Sequence, residues 1–451
     1  MMVRMLLAIA CLTLLRAPIV AASVPQRPNV LLILVDNVGY GDLGCYGNAQ
    51  VKTPNIDRLA AEGVRCTEFY IGSPSCSPSR GALLSGRHPE RNGLNWQLKP
   101  EESFGVGLPK SEKIIPQYLK PLGYATAAFG KWNIGFGEGV RPTERGFDEF
   151  FGHASGNINY FTHRYEGWND LRRGTEEVQV EGYSTDLFAA AAADFIQRHA
   201  RRSWFVYLPF NAPHFPMAHQ FAPGEKIEWQ VPAEYLAQYG APPDEANQQL
   251  RFFAVMTALD AAIGRVLSTI DQLGLRGETL VILLSDNGAF MLPGRGKEVQ
   301  SNRPLREGGV TTYEGGLRVP AIVRWPGRIG PGTVCREPLW SMDLLPLIVK
   351  AAGGQLPADR VLDGLDPTAT LSRGAPSPHP WMFWVWQKWK AVRSGQYKLV
   401  CPPAGKWELY DLSTDVGETT DLAAQMPDLA ASLAAEFDKW RAEVKQAAPA
   451  P

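Results

Sequence analysis

Several things are scarce in this chain of 451 residues, and each absence narrows its function. The formal net charge is −1, so no global field draws the molecule to nucleic acid or to an anionic membrane. Cysteine is rare, and no Cys-x-x-Cys pair occurs, which leaves no structural zinc motif. No Asn-x-Ser/Thr sequon occurs either, which favours a bacterial exported protein over a glycosylated eukaryotic one. Internal repeats and long low-complexity tracts are missing. The apolar stretch at the start is broken by Arg16, so it is too short to span a bilayer.

What is present is ordinary globular material: 45% hydrophobic and 20% charged residues, in a chain long enough to bury a large core without disulfide staples. Arg4, the apolar run Met5 to Leu15 and the small residues Ala21, Ala22 and Ser23 form a signal-peptide pattern. The expectation is a signal over 1–23, a catalytic unit over 24–375 and a small C-terminal unit over 376–451. The mature protein would then be periplasmic or secreted, with no membrane span. Removing Cys11 with the signal leaves Cys45, Cys66, Cys76, Cys335 and Cys401, an odd number, so at least one thiol is unpaired or chemically special.

Four short apolar runs end in polar residues: Val30 to Val35 before Asp36-Asn37, Tyr124 to Phe129 before Gly130-Lys131, Phe205 to Phe210 before Asn211 and His214, and Leu280 to Leu284 before Asp286-Asn287. Such runs suit strands buried on both faces. Helical patterns lie between them over Ser184 to Ala200 and Asp244 to Leu273. The alternation predicts an α/β fold with a large, mostly parallel sheet flanked by helices. Ligands of such sheets bind at the carboxyl ends of the strands, where all four polar groups fall. Past a Pro/Gly/Ser-rich stretch at Gly364 to Pro380, short runs at Met382–Trp386, Lys390–Arg393, Gln396–Val400 and Glu408–Leu412 predict a small antiparallel sheet, followed by a helix after Pro427.

Asp36-Asn37 and Asp286-Asn287 supply hard oxygen donors of the kind calcium or magnesium prefers, although acid–amide pairs also mark turns. Cys76-Ser77-Pro78-Ser79-Arg80 puts a cysteine where a helix begins, with Pro78 in its first turn; the amide donors there attract an anion. Arg80 follows one turn later.

This stretch, with Leu83-Leu84-Ser85-Gly86-Arg87, resembles the signature of type I sulfatases, members of the alkaline phosphatase superfamily. Further matching blocks are Thr53-Pro54-Asn55, Gly130-Lys131-Trp132, Ala212-Pro213-His214, Asp286-Asn287-Gly288 and Tyr313 to Pro320. The resemblance implies that a maturation enzyme converts Cys76 to formylglycine, which attacks the sulfur of a sulfate ester. It further implies that Asp36, Asn37, Asp286 and Asn287 join residue 76 around Ca2+ or Mg2+. Arg80 would stabilise the hydrated aldehyde, Lys131 would bind sulfate, and His214, with Asn133 beside it, would face the leaving group.

Three positions depart from the family pattern. Asn37 replaces an aspartate, Asn133 a histidine and Gly309 a sulfate-binding lysine, for which Lys297 or Arg306 are the candidate substitutes. These changes leave open a relative that binds sulfated glycans without turnover. Phosphate ester hydrolysis is the third class, and Cys76 disfavours it, since that chemistry ordinarily uses Ser or Thr. The segment His153 to Tyr183, with His163, Arg164, Trp168, Arg172 and Arg173, is expected to be a loop at the mouth; a sulfated carbohydrate is the expected substrate.

Overall fold

The computed structural model describes residues 27–447, so the signal-peptide reading lies outside the described residues. Eleven strands form one large mixed sheet. Its centre is parallel, in the order Thr279–Ser285, Asn29–Val35, Trp204–Pro209, Ala125–Lys131, Glu149–His153. The strand Arg318–Arg324 runs antiparallel between Thr279–Ser285 and Val64–Tyr70. All four strands expected from the apolar runs are present, and each is buried throughout.

Burial on both faces explains the unbroken apolar runs. Leu31, Ile33 and Val35 face one core, which also holds the helices Ser184–Arg198 and Gln248–Gln272. Val30, Leu32 and Leu34 face a second core on the other side. The helix Gln248–Gln272 is long and apolar enough to cross a membrane, but it packs here against Ser184–Arg198 and Pro54–Glu62. It starts four residues later than the sequence pattern suggests, because the Asn247 side chain caps it by accepting from Gln249 and Leu250 N–H. The Thr53-Pro54-Asn55 block serves the fold: Asn55 Nδ2 donates to Asp260 Oδ2 at 2.7 Å, tying that helix start to the long helix.

The small antiparallel sheet is ordered Met382–Trp386, Trp389–Ser394, Tyr397–Cys401, Glu408–Asp411, and the helix Pro427–Ala447 covers one face. Trp384 and Trp386 are buried in it as packing. Gly364 to Pro380, read as a boundary, includes a short helix, Thr368–Arg373. Buried polar contacts hold the small sheet against its surroundings. Lys398 Nζ lies 2.8 Å from Glu314 and 3.0 Å from Glu418, and the His88 ring meets Phe383 O at 3.1 Å.

Candidate active site

Strand register brings the site together. Val35 pairs with Ser285, so Asp36 and Asp286 emerge side by side from neighbouring strands. Asp36 N–H donates to Ala212 O and Asp286 N–H to Val35 O. Next to it, Asn37 takes a left-handed backbone (φ 62°), tolerable for Asn. It is held by Gln300 Nε2 donating to its carbonyl at 2.7 Å and by its own N–H donating to Asp286 Oδ1 at 3.0 Å.

Cys76 opens the helix Cys76–Ser85, all of it buried. Its Sγ lies 3.7 Å from Asp36 Oδ1 and 3.8 Å from Asn37 Oδ1. Burial pushes the thiol pKa far up, and the carboxylates of Asp286 and Asp36 add to this against the pull of Lys131 and Arg80. Residue 76 is therefore a poor thiolate here, and an unmodified cysteine is ill suited to attack.

Two buried cations face the acids. Lys131 Nζ donates to Asp36 Oδ2 at 2.6 Å. Arg80 donates through Nε (3.0 Å) and a terminal nitrogen (2.8 Å) to Asp286 Oδ2, and its other terminal nitrogen donates to Lys131 O at 2.9 Å. Arg80 is thus spent on orienting Asp286. Burial and the Asp36 charge raise the Asp286 pKa, while Arg80 and Lys131 oppose them.

The donor set fits a hard divalent cation. Ligand atoms of Asp36, Cys76 and Asp286 lie within 4.8 Å of one another. Asn287 Nδ2 donates to Asn37 Oδ1 at 2.5 Å, which leaves Asn287 Oδ1 buried with no partner. A buried, orphaned amide oxygen beside two carboxylates is what a calcium-type ion would satisfy.

Among known proteins, residues 28–354 match the Sulfatase family model, and residues 310–443 match the C-terminal model of N-sulphoglucosamine sulphohydrolase. N-acetylgalactosamine-6-sulfatase of Mus musculus is 36% identical over 419 residues, covering 88% of this chain and 76% of the relative. Arylsulfatase A of Bos taurus is 36% identical, covering 86% and 77%. The crystal structure of Ps i-CgsB in complex with k-i-k-neocarrahexaose superposes with TM-score 0.84 at 28% identity, covering 94% of each chain.

The chain belongs to the sulfatase family.

Within this sulfatase, the second half of the signature is structural. Gly86 closes the cysteine helix in the left-handed region (φ 67°), and Arg87 Nε lies 3.4 Å from Glu112, outside the acid–amide cluster. Asn133 sits in the left-handed region (φ 53°), fully buried, and its Oδ1 accepts from Ser77 Oγ at 3.2 Å and Gln97 Nε2 at 3.3 Å. His214 follows the Trp204–Pro209 strand; its Nδ1 lies 2.8 Å from Phe215 O. Burial first, then the Lys131 charge, drives its pKa well below the ordinary histidine value.

Neither candidate substitute for the missing lysine makes a polar contact with the acid–amide cluster. Arg306 turns to the small sheet, donating to Tyr410 Oη at 2.9 Å and Glu418 O at 2.8 Å, and Lys297 lies exposed. At Gly309 itself a Cβ would stand 2.6 Å from the Phe290 ring, so Phe290 occupies that space.

The expected mouth loop is largely ordered. Leu171–Arg173 and Glu176–Glu177 extend the large sheet, Arg172 stacks on Phe104 and Phe136, Arg173 stacks on Phe151, and His163 is buried. Arg172 is thereby committed to aromatic packing, whereas Arg164 and Arg173 remain exposed. Trp168 alone among the large apolar residues of this segment is more than half exposed, at 59%.

Sequence reasoning missed His153, which pairs in register with Lys131 and is fully buried with both ring nitrogens unpartnered. The signal was available: Phe150-Phe151-Gly152 is a fifth apolar run ending in a polar residue. Gln97, Gln300 and Asn157 carried no local signal, because long-range packing alone brings them to the site.

Proposed function

We propose that this sulfatase hydrolyses sulfate esters of a carbohydrate, using a formylglycine made from Cys76 together with a divalent cation, calcium or magnesium. The observation that supports the reading is the contact of Cys76 Sγ with Asp36 and Asn37 oxygens at a helix start. An oxygen in place of that sulfur would meet the same buried donors and the same two cations. The printed names of the relatives, an N-acetylgalactosamine-6-sulfatase and a protein crystallised with neocarrahexaose, support a carbohydrate ester.

Asp36, Asn37, Asp286 and Asn287 would hold the cation with residue 76. The bound cation supplies Lewis-acid polarisation of the nucleophile and of the sulfuryl oxygens, and the formylglycine supplies the attacking oxygen. Lys131 offers a fixed positive charge to the sulfuryl group, in a water-poor site where such charges act most strongly. Arg80 keeps Asp286 ionised and oriented. His214 holds its Nδ1 proton against Phe215 O, so the neutral ring presents a bare Nε2, which must first take up a proton before it can pass one to the leaving oxygen. Asn133 hydrogen-bonds but carries no proton to a base. Export to the periplasm or medium, with maturation by a separate enzyme acting on Cys76, belongs to the same proposal.

Asn37 keeps an amide oxygen where a carboxylate oxygen would be, so the cluster loses charge but no donor. That argues against a binding-only protein. The test is release of sulfate from 4-nitrocatechol sulfate and from galactose 6-sulfate, with calcium, by protein whose conversion at residue 76 is confirmed by peptide mass. Cys76→Ala should lower kcat at least about 1000-fold; turnover retained in that variant overturns the mechanism.

A further inference from the structure

A line of polar side chains runs from His214 to the surface and plays no part in the chemistry above. Asn157 Nδ2 lies 3.2 Å from His214 Nδ1, and Asn157 Oδ1 lies 2.7 Å from His219 Nε2. The far nitrogen of His219, Nδ1, is 3.5 Å from Glu166 Oε1. Asn157 is buried, His219 half-buried, and Glu166 open to solvent.

The backbone that carries Glu166 is specialised. Arg164–Tyr165 and Trp168–Asn169 form a hairpin whose two turn residues, Glu166 (φ 49°) and Gly167 (φ 82°), are both left-handed. This is the turn that suits a two-residue hairpin, but its first position normally takes Asn, Asp or Gly. A glutamate kept in an unfavourable conformation suggests that its side chain is needed there. The Tyr165 ring meets His219 edge-on at 4.9 Å and fixes the imidazole plane.

Proton positions along the line follow from its ends. Phe215 O can only accept, so His214 Nδ1 carries a proton. A protonated Nδ1 cannot accept from Asn157 Nδ2, so we turn the Asn157 amide over, end for end, which sets its oxygen against His214 Nδ1 and its NH2 group against His219 Nε2. His219 Nε2 must be the acceptor, so its proton is on Nδ1, facing the Glu166 carboxylate. In this arrangement the Nδ1 proton of His214 is shared between Phe215 O and the Asn157 oxygen, and His214 Nε2 is left without a proton.

Resting on the sulfatase reading, we infer that Asn157, His219 and Glu166 are positioning residues, which lock the His214 ring and its tautomer so that Nε2, bare in the neutral ring, takes up a proton and passes it to the leaving oxygen. Besides His219, the charges facing His214 are Lys131 and Asp286; His219 faces Glu166. The hairpin also carries exposed Trp168, so a sugar ring settling on the rim would press on the same element.

The test uses full-length converted enzyme with calcium. An alkyl sulfate such as galactose 6-sulfate needs protonation of its leaving oxygen, whereas 4-nitrocatechol sulfate scarcely does. His219→Ala and Glu166→Gln should lower kcat on galactose 6-sulfate at least about 10-fold and on 4-nitrocatechol sulfate less than about 2-fold, with KM unchanged. His219→Gln, whose side-chain oxygen can accept from Asn157, should recover most of the loss. Equal losses on both esters, or none, overturn the inference. Histidine 15N spectra of Cys76→Ala give a readout independent of turnover: His219 is expected to hold its proton on Nδ1 at neutral pH, and a proton on Nε2 overturns the relay. Failure of unmutated enzyme on both esters would count against the sulfatase reading, with the spectra still deciding the relay.

Discussion

Lys131 Nζ lies 2.6 Å from Asp36 Oδ2, and neither side chain has any exposed surface. Removing one partner of such a pair leaves a buried, uncompensated charge. Lys131→Ala should therefore cost about 3–5 kcal/mol of stability in chelator. Saturating calcium should shrink that deficit, because a cation between Asp36 and Asp286 supplies counter-charge. Urea unfolding of both proteins, with calcium and with EDTA, measures the difference; equal deficits under both conditions would count against a cation at this cluster.

Calcium should also stabilise the unmutated protein directly. A ligand that binds only the folded state adds about 2.7 kcal/mol when present at 100 times its Kd. Asp286→Asn and Asn287→Ala should each lower the calcium-dependent rise in Tm, and a calcium-insensitive Tm would contradict the oxygen cluster as a metal site.

Asn133→His restores an ionisable ring beside Ser77 and Gln97. Because histidine also tolerates the left-handed region, the folding cost should stay within about 1–2 kcal/mol. The kcat–pH profile should gain a new limb; an unchanged profile would mean that another group does that work.

Gly309→Ala should cost about 1–3 kcal/mol, because the added Cβ meets the packed Phe290 ring. Gly309→Lys should be no more active than Ala. A lysine variant with higher kcat would show that the pocket opens toward that position.

His88 gives stability a pH dependence. Its Nδ1 accepts Glu90 N–H and its Nε2 donates to Phe383 O, so protonating the ring breaks the first bond. Burial holds its pKa down to about 3, against the ordinary 6.5. A histidine with a depressed pKa contributes stability that is present above 6.5 and lost as pH falls toward 3. The loss between pH 7 and pH 5 should be about 2 kcal/mol. His88→Gln should flatten this slope in urea unfolding, and equal slopes for the two proteins would refute the assignment.

Much of the site was legible because strand ends announce themselves. Runs buried on both faces must be apolar, so the first polar residues after them stand out, and Asp36, Lys131, His214 and Asp286 were found this way. The position of Cys76 at a helix start was equally legible from Pro78 in the first turn. The small antiparallel sheet was readable from its short runs, to within one or two residues at each end.

Other features had no local mark. The fate of the lysine replaced by Gly309 depended on Phe290, whose ring approaches it only in the folded protein. Arg306 looked free in sequence, yet the small sheet claims it. Arg172 of the mouth segment lies over aromatic rings drawn from distant parts of the chain, Phe104 and Phe136. The amino-acid sequence by itself determined which chemistry is carried and at which strand ends, because burial and backbone propensity act over a few residues. Only the tertiary structure decided which side chains are free to use that chemistry, because a charge or hydrogen bond is committed by whatever partner the fold brings within about 3 Å.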